Sequence, residues 1–278
     1  MNAARAVSLA AGRLRAAGCQ SPRREAEHLL CAVLGTGRAG MYSLGSGELP
    51  AGILDLFEDM VARRASREPL QHITGSAEFH GLEFRVTRGA LVPRPETEVL
   101  LDRFVAALRP DPGLLLDVGT GSGVLAVSLA LRYPGATVVA TDVSSEALAL
   151  ASENARLHSV RVLFSKTDLL DGLDARFDGV VANLPYIPQK DIAKTQPEVR
   201  LHDPLVALDG GPDGLSLIRR LVADAPRCLA PGGVLALEAA GRQPWVIARL
   251  LERAGAWKEA ERGCDLAGKP RWVTARRK

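Results

Sequence analysis

The sequence predicts an α/β protein: a mostly parallel, doubly wound seven-stranded sheet preceded by a small helical domain. Three observations carry that prediction. From Leu114 onward, short buried-strand patterns alternate with amphipathic helical ones, the rhythm of strands joined by crossover helices. A glycine-rich turn, Asp117-Val-Gly-Thr-Gly-Ser-Gly123, sits where the first of these strands passes into a helix, which is where such a sheet places a ligand. Ahead of it, residues 1–71 carry helical spacing only.

Taken in order, residues 3–17 space Ala, Val and Leu at helical intervals and stop at Gly18. Ser21-Pro22 restarts a helix that runs to Gly35, with serine as cap and proline in the first turn. A third helical pattern covers 51–66. Alternation over 72–92, with Gly81 near its middle, predicts a β-hairpin linking this domain to the next. Val92-Pro-Arg-Pro-Glu-Thr-Glu98 opens a helix at the head of the domain that spans 93–278. There follow LLLDV, a helix from Ser122, TVVATD, a helix from Ser144 to His158, VRVLFS and FDGVVAN. A helix near 215–228, a turn at Pro231-Gly-Gly233, the strand VLALEA, a helix to Gly255 and strands near 257–263 and 271–275 close the chain.

With 278 residues, 47% of them hydrophobic, the chain can bury one full domain and a smaller one. Its net charge of +3 is too small for a dedicated nucleic-acid surface. Cys19, Cys31, Cys228 and Cys264 show neither CxxC spacing nor a His/Cys cluster, so no metal site and no disulfide framework is expected. The arginine-bearing, acid-free first 17 residues could suit a mitochondrial presequence, but the helix they form runs straight into a second capped helix. No apolar run reaches the ~20 residues of a membrane span. A monomeric cytoplasmic protein is the simplest expectation.

The glycine turn is the first candidate site. Gly119, Gly121 and Gly123 let the backbone approach a ligand closely. A dinucleotide turn needs its third glycine at position 124, which is Val124, so a nicotinamide-dependent reductase is disfavoured. Asp142 closes the next strand, 19 residues after Gly123, where a carboxylate can accept from both hydroxyls of a ribose. Asp168 and Leu169 close the third strand, in position to touch an adenine ring. Read as plain turn residues and a helix cap, these features would have to coincide by chance.

The second candidate is Asn183-Leu-Pro-Tyr186, at the same edge of the sheet. An amide nitrogen is a weak nucleophile because its lone pair is delocalised. Its NH2 group must therefore be held by acceptors that turn the lone pair toward an electrophile. Asn183 can supply a side-chain oxygen and Leu184 a main-chain carbonyl. Pro185 biases Leu184 toward extended backbone, and Tyr186 can stack on a planar amide. The same four residues could also be no more than a proline turn with a packed tyrosine.

With PLQHITGSAEFHGLEFRV, LVPRPETE, LLDVGTGSG, DVSSEALALASENA, ANLPYIP, PEVRLHDPLVALDGGPDGL, LAPGGVLALEAAGRQ and DLAGKPRWV, nearly the whole chain resembles the release factor glutamine methyltransferases. The resemblance implies a class I S-adenosylmethionine-dependent methyltransferase with a Rossmann-like sheet. It would methylate the glutamine of a Gly-Gly-Gln tripeptide in class 1 peptide-chain release factors, modulating translation termination, with the helical domain gripping the factor. The cofactor would leave as S-adenosyl-L-homocysteine. On matching positions, Gly119, Thr120, Gly121, Ser122, Gly123, Asp142, Asp168, Leu169 and Asn183 would bind cofactor, while Asn183, Leu184, Pro185 and Tyr186 would hold the glutamine and form the catalytic turn. The EAAGRQ segment departs slightly from the family's pattern, and two further departures stand out. The family's NPPY is NLPY here, a form that resembles adenine dimethyltransferases of ribosomal RNA, and His72 replaces a common aromatic and is read as packing or surface. A ribosomal-protein glutamine methyltransferase, an RNA adenine methyltransferase and a binding module without turnover are the alternatives; intact Asp142 and Asn183 argue against the last.

Overall fold

The computed structural model describes residues 1–278, which divide into two compact units: Met1–Ser76 with Gln196–His202, and Ala77–Thr195 with Asp203–Lys278. In the first, α1 (Ala3–Ala16) starts at Asn2, whose side chain accepts the Arg5 N–H, and α2 (Pro22–Leu34) ends at Gly35 in the left-handed region. A short α3 (Arg38–Ser43), absent from the sequence expectation, precedes α4 (Ala51–Ala65) and α5 (Leu70–Thr74). Leu14, Leu29, Leu30, Met41, Phe57 and Val61 form the core between them.

The hairpin expected over 72–92 is shorter. β1 (Ser76–Phe79) and β2 (Leu82–Arg85) pair around His80 and Gly81, both at positive φ (51° and 72°). Residues 70–74, His72 among them, are helical instead: Pro69 pre-sets the entry to α5 and Gly75, at φ 77°, stops it. Nor is the hairpin a loose tether. Phe79 and Phe84 are fully buried in the sheet's core, and Asn154 clasps Arg85 by accepting its N–H at 2.8 Å and donating to its carbonyl at 3.0 Å.

The second unit continues with α6 (Pro95–Ala107), β3 (Leu114–Val118), α7 (Val124–Arg132), β4 (Thr137–Asp142), α8 (Ser145–Leu157), β5 (Leu163–Lys166), β6 (Phe177–Ala182) and α9 (Gln189–Ile192). After α10 (Pro197–His202), which belongs to the helical unit, come α11 (Ser216–Cys228), β7 (Leu229–Glu238), α12 (Gln243–Ala254), β8 (Trp257–Cys264) and β9 (Pro270–Arg277). Seven strands lie in the order β5-β4-β3-β6-β7-β9-β8, parallel except for β9. The sequence misplaced some ends. α7 begins at Val124 rather than Ser122 because Gly123 caps it at φ 85°. The Pro231-Gly-Gly233 turn shifts the register inside β7 without ending the strand.

Apolar residues cover both faces of the sheet. Leu115, Val138, Ala140, Leu100 and Phe104 fill one side, and Val180, Leu235, Leu237, Ile218 and Leu221 the other. Burial on both faces explains why these strands read as continuous apolar runs. The register matters most at the carboxyl ends: Val118 is level with Thr141 and with Ala182, and Ala182 with Leu237. The residues that follow, Gly119, Asp142, Asn183 and Glu238, therefore emerge together along one edge. No helix is long and apolar enough to cross a membrane.

Candidate functional site

Gly119, Gly121 and Gly123 all lie at positive φ (71°, 55° and 85°), so the turn from β3 into α7 needs glycine at each. The Gly119 and Thr120 N–H groups donate to the Thr141 carbonyl at 2.8 and 2.9 Å, which ties the loop to β4. Asp142 clamps it from the same side. Its Oδ2 accepts the Gly121 N–H at 3.0 Å and its Oδ1 the Ser144 N–H at 2.9 Å. Beneath the loop, fully buried Asp117 accepts from the Thr120 hydroxyl (2.7 Å) and the Ala126 N–H (3.1 Å). Burial, opposed by these two bonds and reinforced by the charge of Asp142, pushes its carboxyl up to about 7.

A cavity of about 330 Å³ opens beside this loop, within the range of small-ligand sites. Gly119, Thr120, Gly121, Ser122, Asp142, Asp168, Leu169, Asn183, Leu184 and Pro185 line it, together with Arg94 and Thr97. Gly123 does not line it; a Cβ there would meet Ala151 at 2.9 Å, so this glycine serves the contact between α7 and α8. Tyr186 does not line it either. Tyr186 instead borders a second, more open cavity with Ile187 and Pro188, and its hydroxyl donates to Glu238 Oε1 at 3.2 Å. Leu169 is a buried leucine at φ 51°, a conformation that costs about 1 kcal/mol or more and is characteristic of binding sites. Half-exposed Asp168 pairs with Arg220 at 2.8 Å.

This set can hold an adenosine cofactor. Each Asp142 oxygen keeps a lone pair for a ribose hydroxyl after accepting one backbone N–H. Leu169 offers an apolar face to a purine, and Gly121, where a Cβ would meet nothing within 4 Å, leaves the loop open to a ligand.

The Asn183–Tyr186 turn is held by residues the sequence reading passed over. Asn183 Nδ2 donates to Thr97 Oγ1 at 3.0 Å, and that hydroxyl donates to Glu238 Oε2 at 2.7 Å. Gln243 Nε2 donates to the Tyr186 carbonyl at 2.7 Å. A Cβ on Gly214 would meet that carbonyl at 2.2 Å, so only glycine fits there. Arg94 pairs with buried Asp203 at 2.7 Å. The signal was present in LVPRPETE and PEVRLHDPLVALDGGPDG, strings more specific than the glycine turn but without a chemical role that spacing alone could assign.

A parallel sheet with one antiparallel strand next to its edge, a glycine loop after β3, an acid ending β4 and an Asn-x-Pro-Tyr turn after β6 together define a class I methyltransferase. Solved structures agree on the fold. The ribosomal protein L11 methylase of Lactobacillus delbrueckii subsp. bulgaricus superposes with a TM-score of 0.50 at 22% identity, covering 66% of this chain and 79% of that one. The T. thermophilus 16S rRNA N2 G1207 methyltransferase, in complex with AdoMet and guanosine, gives 0.51 at 23%, covering 73% and 50%. Family models narrow the assignment: residues 5–75 match the PrmC N-terminal domain and 95–199 the methyltransferase small domain. The release factor glutamine methyltransferase of Deinococcus radiodurans is 46% identical over 98% of this chain and 97% of its own, and that of Mycolicibacterium smegmatis 42% over 98% and 96%. The chain belongs to the release factor glutamine methyltransferase family.

Proposed function

We propose that this enzyme transfers a methyl group from S-adenosylmethionine to the side-chain amide nitrogen of the glutamine in the Gly-Gly-Gln motif of class 1 release factors, in the cytoplasm and as a monomer. The observation that carries the reading is the meeting of the glycine loop, Asp142 and Asn183 around one cavity. Bound there, the cofactor would supply an electrophilic methyl to the amide nitrogen, with the C–S electron pair passing to sulfur and the displaced N–H proton to solvent water. This chain's part is binding and orientation. Gly119 to Ser122, Asp142, Asp168 and Leu169 hold the cofactor, with Gly123 shaping the loop. Asn183 Oδ1 and the Leu184 carbonyl each accept one amide hydrogen, which turns the nitrogen lone pair toward the methyl. Pro185 stiffens the turn. Tyr186, its hydroxyl held by Glu238, closes the turn and offers its ring to the planar amide.

The helical unit is proposed to dock the factor. Deleting residues 1–70 is a poor test of that, since it strips Glu198 of Arg64 and Arg67. Substituting exposed Leu56 on α4 by Asp leaves the core untouched and should raise the KM for the factor alone. The test of the activity itself is methyl transfer from labelled cofactor to a Gly-Gly-Gln release factor, with Gly-Gly-Ala as control. Label on both, or on neither, refutes the proposal; label on ribosomal RNA or ribosomal protein alone would point to the alternative substrates.

A further inference from the structure

Glu238 is a buried acid without an ion pair. It ends β7, is 1% exposed, and accepts only from two hydroxyls, Thr97 at 2.7 Å and Tyr186 at 3.2 Å. Keeping a carboxylate in such a place costs stability, and an apolar residue would end the strand equally well. What the carboxylate adds is direction. A threonine hydroxyl has one proton, and when that proton is given to Glu238, only a lone pair remains for the neighbour on its other side. That neighbour is Asn183, which must then donate through Nδ2, at 3.0 Å. The Asn183 amide is thereby fixed with Oδ1 as its free end. Without the acceptor at 238 the threonine can donate to Asn183 instead, the amide turns over, and an NH2 group faces the substrate's NH2 group.

We propose that Thr97 and Glu238 are positioning residues: through the chain Asn183 to Thr97 to Glu238 they set the orientation of the Asn183 amide, so that an oxygen acceptor is presented to the substrate amide. The inference rests on the reading that Asn183 contacts that amide. Glu238 also receives the Tyr186 hydroxyl, so one carboxylate holds both ends of the Asn183–Tyr186 turn. The charged and titratable groups around it are Tyr186, Arg271 from β9 and Glu96 from α6. Burial, opposed by the Thr97 and Tyr186 bonds and by Arg271, pushes its carboxyl up to about 7. Above that pH the carboxylate can only accept and the direction is enforced; below it the carboxyl can donate to Thr97 and the direction is lost.

The experiment measures kcat and KM for cofactor and release factor in Asn183→Ala, Thr97→Val, Thr97→Ser and Glu238→Gln, each checked by thermal melting. Thr97→Val and Glu238→Gln should lower kcat by roughly 30-fold or more, a share of the 100-fold or more expected when Asn183 itself is removed. Cofactor KM should stay within about twofold, and Thr97→Ser, which keeps the hydroxyl, within about threefold of wild type in kcat, differences below 1 kcal/mol. At saturating cofactor, wild-type kcat should rise through an ionisation near 7, and this rise should flatten in Glu238→Gln. That profile needs only wild type and the glutamine variant, so it decides the matter should Thr97→Val fail to fold. Full kcat in Thr97→Val with Asn183→Ala inactive would overturn the positioning role and leave the Asn183 reading standing. Full activity in Asn183→Ala would instead remove the reading on which it rests.

Discussion

Two glutamates, one in each unit, meet burial in opposite ways. Glu198 of α10 lies in the helical unit among cations. Arg64, only 6% exposed, bridges Glu25 at 2.6 Å and Glu198 at 2.8 Å, and Arg67 holds the other oxygen of Glu198 at 2.6 Å. Burial alone would raise this carboxyl, but the bonds from Arg67, its own N–H and Arg64 outweigh it and hold it at about 2. Glu238 in the catalytic unit has hydroxyls where Glu198 has guanidinium groups, and burial wins, pushing it up to about 7. The helical unit uses buried charge as structure. Beneath the cavity, buried charge is kept at a cost to stability, as at many functional sites.

The largest effect expected from this contrast follows removal of the shared cation. Arg64→Met leaves Glu25 without its partner and Glu198 with only Arg67, and should cost about 3–5 kcal/mol, the scale of breaking a buried pair. Far-UV circular dichroism should record the earlier loss of helix in urea. Tryptophan fluorescence reports on Trp245, Trp257 and Trp272, all in the catalytic unit, and its transition should move less. Equal shifts by both probes would break the comparison, because the cluster would then support the whole chain rather than one unit.

The second effect is a difference in pH dependence. For Glu238 the folded pKa of about 7 lies above the ordinary value of 4.5. Its contribution to stability is thus complete below pH 4.5 and lost as pH rises through 7. A shift of this size corresponds to about 3 kcal/mol. Glu198 runs the other way: its contribution is present above 4.5 and lost as pH falls through 2. Urea midpoints by fluorescence at pH 5 and pH 8 should therefore fall more in wild type than in Glu238→Gln, with Asp117 adding the same slope to both. Identical slopes would show that Glu238 ionises in the folded protein as freely as in water.

Neither glutamate was legible as such. The parallel sheet, the glycine loop and the acids at the strand ends were, because strand patterns, turns and the offset from Gly123 to Asp142 are local features of the chain. Glu198 reaches its arginines across 131 and 134 residues, and Glu238 reaches Thr97 across 141; no periodicity links such positions. Glu238 read as the end of an apolar strand, which it is, and Thr97 as part of a helix start, which it also is. The start of the hairpin was misplaced for a different reason. His72-Ile73-Thr74 alternate in polarity and so imitate the start of a strand, while Pro69 and Gly75 confine Leu70–Thr74 to a short helix.

A third, smaller effect tests whether Asp142 belongs with the structural or the functional acids, since it accepts two backbone N–H groups and also faces the cavity. Asp142→Ala should weaken S-adenosylmethionine binding by roughly 1.5–3 kcal/mol, the range for losing charge-assisted bonds to the ribose. Calorimetry gives the affinity and thermal melting the fold. Unchanged affinity with a lowered melting temperature would class Asp142 with Glu198, as a cap and nothing more.

The smallest effect is expected at Leu184, where the proposed chemistry belongs to the main chain and the side chain should matter only for packing. Leu184 is 3% exposed, and its Cδ2 lies 3.0 Å from where a Cβ on Gly119 would stand, so the side chain wedges the turn against the glycine loop. The Leu184 N–H donates none of the loop's backbone hydrogen bonds, so a proline removes no donor the fold uses. Leu184→Pro keeps the carbonyl, stiffens the turn and gives up part of the leucine's contact with Gly119. Stiffening is worth about 0.4–1 kcal/mol in favour of the fold, and lost packing about 1 kcal/mol or more against it. These nearly cancel, so melting should change little and turnover on the Gly-Gly-Gln substrate should stay within about tenfold of wild type. A loss of 100-fold or more with normal cofactor affinity would mean that the leucine side chain, and not its carbonyl, shapes the acceptor. The boundary between buried groups that hold the fold and groups that hold the substrate would then pass through that residue.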